Sequence, residues 1–265
     1  MTLDGREISV EDVEAAVEKN PDAESVTLTG GEGLLHPRFF EILDIVKDRR
    51  RINLLTNGIR LDGATLEKLV AYPIEIYASY NVLDEKIENN LQSAHDRGLP
   101  VNIQHVLFYE SLHILDRICE QLWFAEKLLL LYPSDITKGN VNMYSPEEWF
   151  GLLDASLRKV SDIKTYFEMA FVPRSSRQGI HSPCNAGKDV FIDVDGKAYP
   201  CCLLTEIVKG DDELRPMPYT AAQCNWLRMN AMPTESEYIR ICPLEFTDRF
   251  DGVLRPPARL GEYDE

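Results

Sequence analysis

Two groups of residues in this 265-residue chain have types and spacings suited to chemistry. The first is the run Val26–Gly33, VTLTGGEG, followed by LLHPRFF at Leu34–Phe40 and LLTNG at Leu54–Gly58. It reads as a buried strand that breaks at Gly30-Gly31-Glu32, a helix, and a second buried strand that breaks at Thr56-Asn57-Gly58. Both turns then fall at the same end of a parallel sheet, the end where open α/β folds and barrels bind ligands. Ser79 and Asn81 close the following strand and join the same rim. Each of these turns also has an ordinary structural reading. Glycine supplies positive φ after a strand, and Asn-Gly beside a threonine is standard turn chemistry.

The second group is cysteine, six in all. Cys119 stands alone in the helical stretch LDRICEQLW and reads as a small buried hydrophobe. Cys184, Cys201, Cys202, Cys224 and Cys242 fall in the last third, a clustering that in a reduced compartment points to metal more than to disulfides. From Cys184 the chain runs CNAGKDVFIDVDGKAYPCC. Asp189–Val194 reads as a strand, Asp195-Gly196 as a hairpin turn and Lys197–Tyr199 as the return strand. A hairpin brings its ends together, so Cys184 and Cys201 can reach one centre. Iron–sulfur, zinc (with His181 as a further donor) and unligated thiols all satisfy that geometry. His36, ahead of Pro37, reads as a cap-region residue, while His95, His105 and His113 have no ligand spacing.

The elements that must position these groups alternate. Ser9–Lys19 reads as a helix with Ser9 as N-cap and Glu11 and Asp12 in its first turn. Strands are expected at Ser25–Thr29, Ile52–Leu55, Ile74–Ser79, Val101–Phe108, Lys127–Tyr132 and Lys164–Phe171. Helices are expected at Pro37–Arg49, Gly63–Ala71, Asp84–Arg97, Leu112–Phe124 and Pro146–Arg158, with Gly98 and Ser145 as caps. Short apolar runs between helices of this length mean βα units and a parallel sheet.

This order, with TGGEG, LLHP and LLTNG in phase, resembles the core of radical S-adenosylmethionine (SAM) enzymes. The second strand of that family ends in Gly-Gly-Glu-Pro, and its first strand feeds a C-x3-C-x2-C loop that holds the reducing [4Fe–4S] cluster. The resemblance implies an α/β fold: a partial (β/α) TIM-like barrel lacking its first strand, plus a small cysteine-rich β-hairpin auxiliary domain. It also implies S-adenosyl-L-methionine as ligand. Gly30, Gly31 and Glu32 match the positions that meet the amino group of its methionine moiety, and Thr56 and Asn57 match polar positions facing the cofactor, with Ser79 at the same cavity. Gly33 stands where the family carries proline.

The Cys184-to-Cys201 spacing, eleven residues, Gly196, then four residues, looks like the opening of SPASM and twitch extensions. That implies one auxiliary [4Fe–4S] cluster held by Cys184, Cys201, Cys224 and Cys242, with Cys202 as the alternative to Cys224 and zinc as the alternative metal. The domain reading is a barrel over residues 1–172, a metal-binding domain over 173–250 and a surface tail over 251–265.

The sequence contains no C-x3-C-x2-C. The expectation is a radical-SAM-like protein related to enzymes that modify peptides or small molecules, unable to cleave SAM reductively unless the cluster loop is supplied. The alternative is a degenerate binding or partner module with a structural zinc or iron–sulfur site. An unrelated α/β protein with a zinc-stapled lobe is the third reading. A peptide or protein substrate is expected, or a partner chain covering the edge of the Val26 strand, which reads as apolar on both faces.

Charge bounds the partners further. A net charge of −16 excludes nonspecific binding to nucleic acid or to an anionic membrane surface. The one basic run, Arg49-Arg50-Arg51, follows a helix and reads as a cap. No signal-peptide-like or membrane-spanning run is seen, so the location is taken as cytoplasmic.

Overall fold

The structure, a computed structural model, describes residues 6–49, 51–133, 144–160, 163–167, 171–173, 190–199 and 238–240. It divides into two compact units, Met1–Tyr132 with Phe150–Glu168, and Pro133–Trp149 with Met169–Glu265.

In the first unit α1 (Val10–Lys19) starts where Ser9 accepts a hydrogen bond from the Asp12 N–H, and the acidic Glu11 and Asp12 complement its dipole. Then follow β1 (Ser25–Leu28), α2 (Phe39–Val46), β2 (Arg51–Thr56), α3 (Gly63–Leu69), β3 (Ile74–Ser79), α4 (Glu85–Asp96), β4 (Val101–Val106), α5 (Leu112–Gln121), β5 (Lys127–Leu131), α6 (Pro146–Lys159) and β6 (Thr165–Phe167). Asp62 and Asp84 cap α3 and α4, Gly98 takes φ +81° past the end of α4, and Ser145 and Glu148 cap α6 reciprocally.

The six strands form one sheet in the order β1-β2-β3-β4-β5-β6, every adjacent pair parallel. Each strand lies beside its predecessor. Since βα crossovers share one hand, the connecting helices then fall on one face, which is how a TIM-like wall is wound. The expected α/β fold with a parallel sheet is therefore present. Some element ends differ from expectation. α2 begins at Phe39, two residues after Pro37, because a 3-10 turn at Gly33–Leu35 takes up the approach. β4 stops at Val106 because Phe108 caps the 3-10 turn Tyr109–Ser111.

Alternation along the strands separates two faces. One carries Ile52, Leu54, Ile74, Ile76, Ala78, Val101, Ile103, Leu128 and Leu130, all buried against helix residues such as Leu43, Val46, Leu66, Leu91 and Leu115. Burying each such side chain contributes about 1.5–3 kcal/mol, so this face holds the core. The opposite face carries Thr27, Asn53, Glu75, Tyr77, Ser79, Asn102, Gln104 and Lys127. Parallel sheets buried on both sides read as continuous apolar runs. This one carries these polar residues on its open face, the face away from the core, with Leu55, Val106, Leu129 and Leu131 interleaved among them. β1 corrects one expectation: Ser25 and Thr27 are exposed, and only Val26 and Leu28 are half-buried, so its side chains are not apolar on both faces.

The basic run is consumed structurally. Arg49 donates to the carbonyls of Val17, Pro21 and Ala23, closing the end of α1 and the loop beyond it. Arg51 pairs with Glu75 at 3.2 Å.

In the second unit β7 (Phe171–Pro173) pairs antiparallel with β10 (Tyr238–Arg240), and β8 (Phe191–Ile192) with β9 (Ala198–Tyr199). The β8–β9 turn is the expected one. Asp193 Oδ1 accepts from the N–H groups of Asp195 and Lys197, and Gly196 takes φ +65°. Cys184, Cys201, Cys202, Cys224, Cys242 and residues 251–265 lie outside the described residues.

Candidate functional site

The C-terminal ends of β1 and β2 are tied by one side chain. Glu32 is 6% exposed and lies just after the Gly30-Gly31 turn. Its Oε1 accepts from the Leu34 N–H at 3.2 Å, starting the 3-10 turn, and its Oε2 accepts from the Asn57 N–H at 2.8 Å. Thr56 Oγ1 donates to this carboxylate, 2.9 Å from both oxygens, while accepting from the Gly58 N–H at 3.1 Å. Glu32 therefore meets three donors inside the protein, and a carboxylate has about four acceptor sites. Thr56 is 3% exposed, with its hydroxyl turned inward.

What faces outward is backbone. Gly30 and Gly31 are exposed, and Gly30 holds φ +139°, which side-chain-bearing residues rarely adopt. Asn57 is half-buried, and its Oδ1 accepts from the Ile59 N–H at 2.9 Å. Gly58 holds φ +79°, and a Cβ there would stand 3.0 Å from Ile87 Cγ2, so both backbone and packing require glycine. Asn90 of α4 donates to the Gly58 carbonyl at 2.9 Å. The structure thus brings Glu32, Thr56 and Asn57 into one hydrogen-bonded set beneath Gly30 and Gly31. Ser79 is exposed at the end of β3, the next strand along the rim.

The rim at β3 is fixed from behind. Tyr80 is fully buried, and its hydroxyl donates to Glu88, which is 7% exposed and receives Arg117 bidentately at 2.8 and 2.7 Å. Arg117 holds the Glu88 carboxyl below its ordinary range, and burial together with Glu88 pushes the Tyr80 phenol up. His105 is fully buried and its Nδ1 lies 2.8 Å from the Tyr80 carbonyl, its Nε2 2.9 Å from Ser111 Oγ. Burial lowers the His105 pKa, so the ring is neutral. A carbonyl only accepts, which places the proton on Nδ1 and makes Ser111 the donor to Nε2. Asn81 Oδ1 accepts from the Val106 N–H at 2.8 Å. No ligand spacing singled out His105. Its signal was the break in apolar character on the buried face of V-N-I-Q-H-V.

His36 does cap work. Its Nδ1 accepts from the Arg38 N–H at 3.1 Å, which leaves Nε2 to donate to the Ile8 carbonyl at 3.0 Å. Cys119 is half-buried, with Sγ 3.6 Å from the Lys159 carbonyl. Among the described residues, no group of three or more His, Cys, Asp and Glu side chains is placed to hold a metal. The residues around the Gly-Gly-Glu turn therefore do not fit a cluster-binding site. They do fit a small ligand held by backbone, since the exposed Gly30-Gly31 segment is what they present.

A cavity of about 280 Å³ lies at the opposite end of the strands, lined in part by Arg51, Tyr72, Pro73, Glu75, Gly98 and Pro100. It is separate from the Gly-Gly-Glu rim, because Pro73 and Pro100 immediately precede β3 and β4.

The fold of the sheet is shared with known proteins. Residues 1–122 match the model of the Radical SAM superfamily. Among solved structures, SuiB of Streptococcus suis bound to S-adenosylmethionine aligns with a TM-score of 0.61 at 14% identity, covering 77% of this chain and 56% of SuiB. SuiB bound to its precursor peptide SuiA aligns with a TM-score of 0.63 at 15% identity, over 78% of this chain and 56% of SuiB. Native anSMEcpe with bound AdoMet aligns with a TM-score of 0.60 at 15% identity, over 81% and 72% of the two chains. At these identities the likeness is one of fold. The chain spans little more than half the length of SuiB. No curated protein sequence matches it. Among the described residues, no helix is long and apolar enough to cross a membrane.

Proposed function

We propose that this chain binds S-adenosylmethionine at the rim formed by Gly30, Gly31, Asn57 and Ser79, and presents its substrate to the open polar face of the sheet. The observation that carries the reading is the Glu32 tie. A buried carboxylate spends three bonds holding two neighbouring βα turns in register, and leaves the Gly30-Gly31 backbone exposed above them. A rim rigid to this degree is what a small charged ligand needs to be oriented. Two structural neighbours that share the fold were solved with S-adenosylmethionine or AdoMet bound. A third was solved with a precursor peptide, which supports a peptide substrate here.

In this reading Cys184, Cys201, Cys224 and Cys242, with Cys202 as alternative to Cys224, hold one auxiliary [4Fe–4S] cluster in a domain over residues 173–250, following a barrel over residues 1–172. A cluster supplies electron transfer when bound. Zinc held by the same thiolates is the competing assignment. Radical formation needs a reducing cluster for which this sequence has no C-x3-C-x2-C, so radical chemistry here would draw on a cluster held by another segment or chain, and β1, an edge strand among the described residues, is where such a partner fits. The same absence favours a second reading, a binding module that retains the SAM rim without radical chemistry.

Gly31→Val tests the rim. Gly31 is exposed and its φ is not in the left-handed region, so its backbone accepts valine, whose side chain would crowd the ligand; circular dichroism of the variant checks that it folds. Calorimetry is expected to show SAM binding to the wild type and at least tenfold weaker binding to this variant; no heat with the wild type contradicts the reading. Anaerobic reconstitution followed by metal analysis assigns the thiolates, with about four irons per chain expected for one auxiliary cluster. One zinc and no iron assigns them to the competing site.

A further inference from the structure

The open face of the sheet has a charge balance opposite to that of the chain. Among the described residues that face carries Arg51, Lys127 and Lys164 against Glu75 alone, in a protein with 44 acidic and 28 basic residues. The register places two of these cations side by side. Leu128 pairs with Thr165, so Lys127 of β5 stands level with Lys164 immediately ahead of β6. Tyr77 and Asn102 share that level through β3 and β4. Like charges directly opposite on neighbouring strands repel, and an anion between them would relieve that repulsion.

Among the described residues one carboxylate, Glu75, serves these cations. Glu75 is shared by Arg51 at 3.2 Å, the Tyr77 hydroxyl at 3.2 Å and Lys127 Nζ at 3.8 Å, the last an ion pair longer than a hydrogen bond. Lys164 is exposed, and its Nζ lies over the Tyr166 ring at 5.4 Å from the centroid, which keeps it on the same face as Lys127. Asn102 is fully buried in this layer, and its Oδ1 has no hydrogen-bond partner. That layer therefore holds two ammonium groups against one carboxylate already shared with Arg51, and one unsatisfied acceptor.

We propose that Lys127 and Lys164 form the subsite for an oxyanion on the substrate, and that Asn102 Oδ1 accepts an N–H of the same molecule. An acidic amino-acid side chain beside a peptide N–H has both features. This rests on the reading of the open face as the substrate side. It is independent of the rim, since Lys127 and Lys164 belong to strands β5 and β6 and the Gly-Gly-Glu turn to β1.

The test is calorimetry on the full chain with N-acetylglutamate, its uncharged dimethyl ester and inorganic phosphate, with SAM titrated in parallel. N-acetylglutamate is expected to bind, to weaken with added salt, and to weaken at least tenfold in the double variant Lys127→Gln, Lys164→Gln. The ester is expected not to bind, and Lys127→Arg with Lys164→Arg to retain binding, which separates charge from folding. Displacement by equimolar phosphate supports the subsite and assigns it to a phosphate-bearing substrate; no displacement assigns it to a carboxylate. Failure of N-acetylglutamate and phosphate alike to bind the wild type, or unchanged binding in the glutamine variant, overturns the proposal. SAM binding that persists through that failure leaves the rim reading intact, and loss of SAM binding alone removes the rim but not the subsite.

Discussion

Glu32 is the residue on which the candidate rim depends. Its carboxylate faces the N–H groups of Leu34 and Asn57 and the Thr56 hydroxyl. Glu32→Gln turns an NH2 group toward at least one of these donors, and an unsatisfied buried donor costs about 1–3 kcal/mol. We expect urea denaturation to report a loss of that size, with Thr56→Val losing about 1 kcal/mol through the same network. His105 makes a pH-dependent contribution. Burial holds its pKa below the ordinary 6.5, so the unfolded chain takes up the proton first and stability falls as pH drops below about that value. The urea midpoint is expected to fall between pH 7.5 and pH 5, with a flatter dependence in His105→Gln; an equal slope in the variant would place the titration elsewhere. Glu88 acts at lower pH. Arg117 depresses its pKa, so its contribution is present above the ordinary carboxylate range and is lost as pH falls through the folded value.

At the scale of elements, the β1–α2 connection carries glycine where its geometry also admits proline. Gly33 opens a 3-10 turn, its φ is not left-handed, and Glu32 before it has φ −145° and ψ 105°, the extended conformation that precedes proline readily. Gly33→Pro is expected to raise stability by about 0.4–1 kcal/mol through the unfolded chain, read as a higher Tm. Gly58→Ala is expected to lose more than that, since its Cβ would meet Ile87 in a strained backbone. The strands, helices and Asp193–Lys197 hairpin were legible in the sequence because caps, turn residues and apolar runs are local signals. So were the Gly-Gly-Glu and Thr-Asn-Gly turns. What Glu32 does was not legible, because the bond from Asn57 spans 25 positions and only the adjacency of β1 and β2 creates it. The polar open face was written in I-E-I-Y-A-S and V-N-I-Q-H-V as period-two alternation. In a parallel sheet that pattern signals an open ligand side, and the apolar residues between the polar ones concealed it.

For the whole molecule, a six-stranded parallel sheet wound in sequence order, polar on one face, unites the rim and the lysine pair. The helices cover one side, and the chemistry is left to the other and to the strand ends. The alternative location is the cavity at Arg51, Tyr72 and Gly98, at the far end of the same strands. Amide chemical-shift mapping of the full chain titrated with SAM separates the two in one measurement. The account predicts shifts at Gly30–Gly33, Asn57–Ile59 and Ser79–Val82, with Tyr72, Gly98 and Leu99 unmoved. Shifts confined to Tyr72–Ile74 and Gly98–Leu99, or none anywhere at millimolar SAM, would contradict it.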